Sequence, residues 1–167
     1  FQNWSVETFA APENARFLFG ADWGFSKDPT VLIRCFVGRW AGEPGKSAVI
    51  ADPKGNCLFI DYEAHGIECE IDDTPALFAG SDRHDPPRWT NRFAHPGIPC
   101  AAKTGIIADS ARPDMISHMR ARGFNIMRAK KGKESITGGI AYLKDKEIYV
   151  HPRCHHLIDE LIHYCWK

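Results

Sequence analysis

The chain has 167 residues, 44% of them hydrophobic and 25% charged, with 21 basic and 21 acidic side chains in balance. That length suits one domain with a sizeable core. No apolar run approaches the roughly 18–20 residues of a membrane span, no signal peptide is visible, and zero net charge supplies no global field to attract nucleic acid. The charge is nevertheless uneven. Seven basic residues and one acid lie between Arg112 and Lys133, and eight acids and one base lie between Asp61 and Asp85. A local basic face and an ordinary solvated surface both fit that pattern. The six cysteines form no CxxC pair and suggest no disulfide framework, so reduced thiols in an intracellular protein are expected.

In chain order, residues 1–15 are polar and irregular and read as a linker remnant or arm, ahead of a domain over residues 16–167. Arg16–Gly20 reads as a strand leading into Asp22, Thr30–Val37 as a second strand, and Cys57–Glu63 as another. Gly38–Gly55 between them is loop-like, with a short strand over Ala48–Ala51. The connections are too short for helical crossovers, so the first strands should form an antiparallel meander. Thr74–Ala79 begins a helix, with Thr74 as N-cap and Pro75 at the first helical position. Ser81–Pro99 is polar and proline-rich, without a period. Strands over Thr104–Ala108, Phe124–Met127 and Glu147–Val150 then alternate with helices over Pro113–Arg122, Ser135–Lys144 and His155–Trp166. Gly123 ends the first of these helices, whose face is Met115, Ile116 and Met119. Ile136, Ile140 and Leu143 mark the next helix, and Leu157, Ile158, Leu161, Ile162 and Cys165 the last. The expected fold is therefore α/β: a mixed sheet, antiparallel meander then parallel strands, flanked by helices.

Two apolar strands end in aspartate: "RFLFGADWG" in Asp22 and "GIIADSA" in Asp109. If those strands are neighbours, both carboxylates emerge at one edge. Two such acids repel unless a cation bridges them, and hard oxygen ligands suit Mg²⁺ or Mn²⁺. Taken singly, Asp22 as an Asx-turn and Asp109 as a helix cap are sufficient explanations. Glu63, at the end of "FIDYE", shares a strand face with Asp61 and could join the cluster or face solvent. "GEPGKS" (Gly42–Ser47) resembles the end of a phosphate-binding loop, but position 40 is Trp40 and no helix follows. It reads as a hairpin loop. "HPRCHH" (His151–His156) suggests zinc by density, yet no second ligand pair stands at finger-like spacing. Ser110 lacks a nucleophile elbow.

The stretches "FGADWGFSKDPT", "DYEAHGIECEIDDTPALF", "ADSARPDMISHMRARGFNIMRAKKGKESITGGIAYLK" and "IYVHPRCHHLIDELIHYCWK" together resemble the nuclease domain of the large terminase subunit of tailed bacteriophages. The resemblance covers about Phe17 to Lys167. It implies an RNase H-like fold and a metal-dependent endonuclease that cuts concatemeric double-stranded viral DNA during packaging. Asp22 and Asp109 match the family's metal-binding acids, with Glu63 as a further catalytic candidate and two divalent cations, Mg²⁺ or Mn²⁺, as cofactors. Arg128, Lys130, Lys131 and Lys133 are the expected contacts to DNA phosphates. Implied partners are an ATPase motor domain, the small terminase subunit and the portal protein, in the host cell cytoplasm with no membrane. The family also places a further metal-binding acid beyond the "HPRC" helix, so one is expected past residue 167. A junction resolvase or integrase-type enzyme shares the metal chemistry. A non-catalytic DNA-clamping or docking module, with structural Asp22 and Asp109, is the alternative of a different class.

Overall fold

The computed structural model describes residues 2–80, 96–132 and 134–164. Lys133, most of the proline-rich stretch and Cys165–Trp166 of the expected last helix lie outside the described residues. The fold is α/β, a mixed sheet of parallel and antiparallel strands flanked by helices, as expected. The chain divides into two compact units: Phe1–Phe17, Arg34–Glu63 and Lys131–Lys167 form one, Leu18–Ile33 and Ala64–Lys130 the other.

The first unit is built on strands β1 (Trp4–Val6), most of β3 (Thr30–Trp40), β4 (Val49–Ala51), most of β5 (Cys57–Gly66) and β8 (Glu147–Val150). Their order is β1-β8-β5-β3, with β4 paired to β3. β8 runs parallel to both β1 and β5, and β4 runs antiparallel to β3, with Trp40 opposite Val49. Strict alternation sends successive side chains to opposite faces. Phe36, Trp40, Cys57, Phe59 and Tyr149 therefore form one buried cluster with Phe9. Leu58, Ile148, Val150 and Cys154 form another, against which Cys35, Val37, Ile60 and the helix residues Leu143, Leu157, Ile158 and Leu161 pack. Those helices are α3 (Ser135–Lys144) and α4 (His155–His163).

The irregular arm read from the sequence turns out to supply β1 and Phe9. Phe9 meets Phe36, Trp40 and Phe59 edge-on at 5.1–6.3 Å between centroids. Three residues, Trp-Ser-Val, carry no readable period. Their place comes from backbone pairing and from Asn3, whose amide donates to the carbonyls of Leu143 and Lys146 near the end of α3. β3 also runs three residues further than expected, because Gly38–Trp40 pair with β4. Gly42–Ser47 is the expected hairpin loop, closed by Gly42 N–H donating to Ser47 Oγ at 3.0 Å. α3 departs from its expected apolar face: none of its residues is buried, and Ile136 is 79% exposed.

One charged pair sits inside the first unit. Arg34 and Asp61 are both buried and joined by two bonds, at 3.0 and 2.5 Å. The guanidinium also lies 3.8 Å from the Phe17 ring centroid and 4.5 Å from that of Tyr62. A buried cation with its carboxylate and two aromatic faces is satisfied only as a set.

The second unit holds β2 (Leu18–Asp22), the start of β3 beside it, then β6 (Ile106–Ala108) and β7 (Ile126–Arg128). β2, β6 and β7 are parallel neighbours. Helix α1 (Thr74–Ala79) follows a 3₁₀ turn over Ile71–Asp73 without a break. That continuity overturns Thr74 as N-cap: Asp73 holds the cap position, and the Thr74 hydroxyl donates backward to the Glu70 carbonyl at 3.1 Å. α2 (Pro113–Ala121) buries Met115, Ile116 and Met119 as expected. Gly123 ends its turn at φ +91°, and Arg120 Nε donates to the Ile126 carbonyl, tying α2 to β7.

Three measurements check this packing. Asp61→Ala strands a buried guanidinium and should cost about 3–5 kcal/mol in urea unfolding; a loss below about 1 kcal/mol would contradict it. Burial first, then the Asp61 charge, pushes the Cys35 thiol up to about 12; burial, then Glu63 and Asp61, does the same for Cys154. A thiol raised in the folded state stabilises the fold below its unfolded pKa and ceases to as pH rises, so stability should fall between about pH 9 and 12. At pH 8.5 native Cys35 and Cys154 should resist alkylation while exposed Cys100 reacts, as read by mass spectrometry.

Candidate metal centre

β2 and β6 are short and bury alternate residues, Phe19 and Ala21 on one, Ile106 and Ala108 on the other. Their register pairs Phe19 with Ile106, Gly20 with Ile107 and Ala21 with Ala108. The next step along each strand is Asp22 and Asp109. Asp109 N–H donates to the Ala21 carbonyl at 3.0 Å, continuing the ladder to that level. Paired positions on parallel strands share a sheet face and lie about 4.8 Å apart. The two carboxylates therefore leave the same edge on the same side, Asp22 exposed and Asp109 half-buried.

The loops beyond the strands hold each acid in place. Asp22 Oδ1 accepts from Trp23 N–H at 2.9 Å, and Asp109 Oδ2 accepts from Ala111 N–H at 2.9 Å, an Asx-turn. Asp109 is not the cap of α2, whose cap position is Arg112. A carboxylate oxygen offers more than one lone-pair site, so these bonds orient the groups while leaving acceptor capacity. The donor set is hard oxygen and doubly negative, the combination that fits Mg²⁺ or Mn²⁺.

Trp23, which sequence reasoning passed over, links the two loops. Its Nε1–H donates to the Asp109 carbonyl at 2.9 Å, and its ring stacks on Phe78 at 6.0 Å and 13°. The Trp-Gly dipeptide after the acid was the available signal. Gly24 is required there: a Cβ would sit 2.2 Å from the Asp28 carbonyl oxygen and 2.4 Å from that of Pro29. The Thr30 hydroxyl closes the turn, donating to the Gly24 carbonyl at 2.9 Å.

The other expected site residues divide. Arg128 ends β7, paired with Ala108, so it lies at the same carboxyl edge as the acids, one strand beyond Asp109. Alternation points it to the face opposite the carboxylates. Lys130 and Lys131 follow and are exposed; Lys133 lies outside the described residues. Glu63 belongs to the other unit. It is buried, and its two oxygens accept from His156 N–H and Leu157 N–H, each at 2.8 Å, fastening the first turn of α4. Asp61, its neighbour in sequence, is taken up by Arg34.

Residues 99–167 match the family described as the terminase RNase H-like domain. The manganese-bound nuclease domain of the g2p large terminase from bacteriophage SPP1 superposes with a TM-score of 0.69, at 19% identity, over all of this chain and 81% of that one. The large terminase of a thermophilic bacteriophage, in complex with ATP-γ-S, gives 0.59 at 14% identity, over 97% of this chain but 35% of its own. The magnesium-bound large terminase nuclease of a second thermophilic phage, G20c, gives 0.50 at 16%, over 93% and 66%. No curated protein matches the sequence. The resemblance to terminase nuclease domains and the RNase H-like fold expected from it are thus borne out.

Two substitutions probe how the acids are held. Gly24→Ala should destabilise by about 1–3 kcal/mol, since only backbone movement relieves the clash. Trp23→Phe keeps a ring against Phe78 but loses the bond to Asp109, and should cost about 0.5–1.5 kcal/mol. Chemical unfolding measures both; a neutral Gly24→Ala would contradict the turn.

Proposed function

We propose that this chain, which matches the terminase RNase H-like domain family over residues 99–167 and shares the fold of terminase nuclease domains, is a metal-dependent endonuclease that cuts concatemeric double-stranded DNA with little sequence preference during viral genome packaging. The observation that carries this is the level placement of Asp22 and Asp109 on neighbouring parallel strands. The bound manganese and magnesium of the SPP1 and G20c domains support divalent-ion use on the same fold.

Asp22 and Asp109 would hold the cations, two in the reading favoured here. When bound, such ions activate a water and stabilise the leaving oxygen of a phosphodiester. The chain's own task is positional. β2 and β6 hold the carboxylates side by side, and the Trp23 and Ala111 amides fix their orientation. Lys130, Lys131 and Lys133 would meet backbone phosphates, contacts that add affinity without reading sequence; Arg128, on the face opposite the carboxylates, would do so only for DNA that passes around the sheet edge. Glu63 has its described bonds within α4, so the proposed metal pair rests on the two aspartates.

The ATP-γ-S-bound large terminase, of which this chain spans about a third, supports a neighbouring ATPase motor in a longer protein. Small terminase subunit and portal would then be assembly partners in the host cytoplasm. Among the described residues no helix is long and apolar enough to cross a membrane. One observation favours a non-catalytic clamp instead: both aspartates already bond their own loops.

Nicking of supercoiled plasmid by the full-length protein separates the two. Cutting should require Mn²⁺ or Mg²⁺, and Asp22→Asn or Asp109→Asn should each lower it at least about a hundredfold with the fold intact by circular dichroism. Cutting unchanged in EDTA, or in both variants, would sink the nuclease assignment. Lys130→Ala should weaken DNA binding uniformly across sequences and reduce the salt slope by about 1.

A further inference from the structure

We propose that Glu63, His155 and His156 bind one divalent transition ion of borderline softness, such as Zn²⁺ or Co²⁺, which clips the first turn of α4 to β5. All three residues belong to the same unit, and the site shares no residue with the aspartate pair. The sequence flagged "HPRCHH" for its density of zinc-type ligands and offered no partner at finger-like spacing. The fold supplies one from a strand more than ninety positions earlier.

One ligand atom from each residue can be chosen so that all three lie within 4.8 Å of one another. His155 Nδ1 is 3.9 Å from Glu63 Oε1, and the two imidazole centroids are 4.2 Å apart at a 40° tilt. Bonds of about 2.0–2.2 Å around a tetrahedral ion place donors about 3.4 Å apart. The donors need to close by roughly 1 Å; turning the exposed His155 ring supplies part of this and exchanges its Nδ1 contact with the Arg153 carbonyl, 3.2 Å away, for the ion. Glu63 need not move. Its side chain is 6% exposed, and the amides of His156 and Leu157 hold one oxygen each, leaving further lone pairs for a cation. This is the arrangement in which outer hydrogen bonds orient a metal-binding carboxylate. Solvent can fill the fourth position, since both histidines are exposed.

Two features oppose a cation here. The N-terminus of α4 carries partial positive charge, and the Arg153 guanidinium stands nearby, bonded to His151. Glu63 offsets one charge. The two imidazoles then decide the identity of the ion, because nitrogen donors favour Zn²⁺, Co²⁺ or Ni²⁺ over Mg²⁺. Mg²⁺ is left to the oxygen-only aspartate pair, so the two sites should sort their metals.

The test is a Co²⁺ titration followed by visible absorption in full-length protein carrying Asp22→Asn and Asp109→Asn, with Mg²⁺ in excess. One equivalent should bind and give ligand-field bands that Zn²⁺ abolishes. Adding His155→Ala or His156→Ala should weaken binding at least about tenfold while circular dichroism stays unchanged. Zn²⁺ should also raise Tm in the protein with both histidines and not in either histidine variant. No stoichiometric Co²⁺ binding, or equal affinity without the histidines, overturns the site. Either result leaves the aspartate centre untouched, because nuclease activity is not the readout.

Discussion

The register between β2 and β6 is the constraint on which the candidate chemistry depends. Parallel strands in this register bring Ala21 level with Ala108 and, one step on, Asp22 level with Asp109. A shift of one residue would turn one carboxylate to the other face of the sheet. Burial pins the register: Phe19, Ala21, Ile106 and Ala108 all face inward, and slipping either strand would expose them. The core residues thus determine the geometry of the acids without touching them, which is how a rigid strand serves as a mount for a functional group.

Carboxylates in this chain fall into two groups by what surrounds them. Asp61 and Glu63 are buried and closely matched, one by the Arg34 guanidinium and the other by the amides that open α4. Burying either without its partner would be expensive. Asp22 and Asp109 stand at a sheet edge on loops stiffened by Trp23, Gly24 and Thr30. A doubly negative edge repels itself unless a cation joins it. The first pair holds the fold together, and the second is oriented by the amides of its own loops.

Much of this was legible in the sequence, for physical reasons specific to each element. Apolar runs closed by aspartate gave β2 and β6, and Pro113, Gly123 and the Met-Ile-Met face gave α2. What escaped had no local signal. β1 is three residues of pairing and one asparagine reaching α3, and Phe9 joins the core by tertiary contact alone. The apolar positions of α3 kept helical spacing but meet little of the core. Thr74 had cap chemistry but sits after a 3₁₀ turn that leaves it nothing to cap. In the sequence Glu63 is a strand-end acid that could join the aspartate cluster or face solvent; its partners, His156 and Leu157, lie too far along the chain for spacing to show. Trp23 was visible as a residue and invisible as a link, because its acceptor is a backbone carbonyl on another strand.

The central claim is that Asp22 and Asp109 together hold divalent metal. Its most direct measurement is anomalous diffraction at the manganese edge from crystals of the protein grown with Mn²⁺. A peak within about 2.0–2.6 Å of carboxylate oxygens from both aspartates is expected, with the peak lost in Asp109→Asn. Manganese bound only elsewhere, or a well-ordered pair with no peak between them at saturating Mn²⁺, would contradict it.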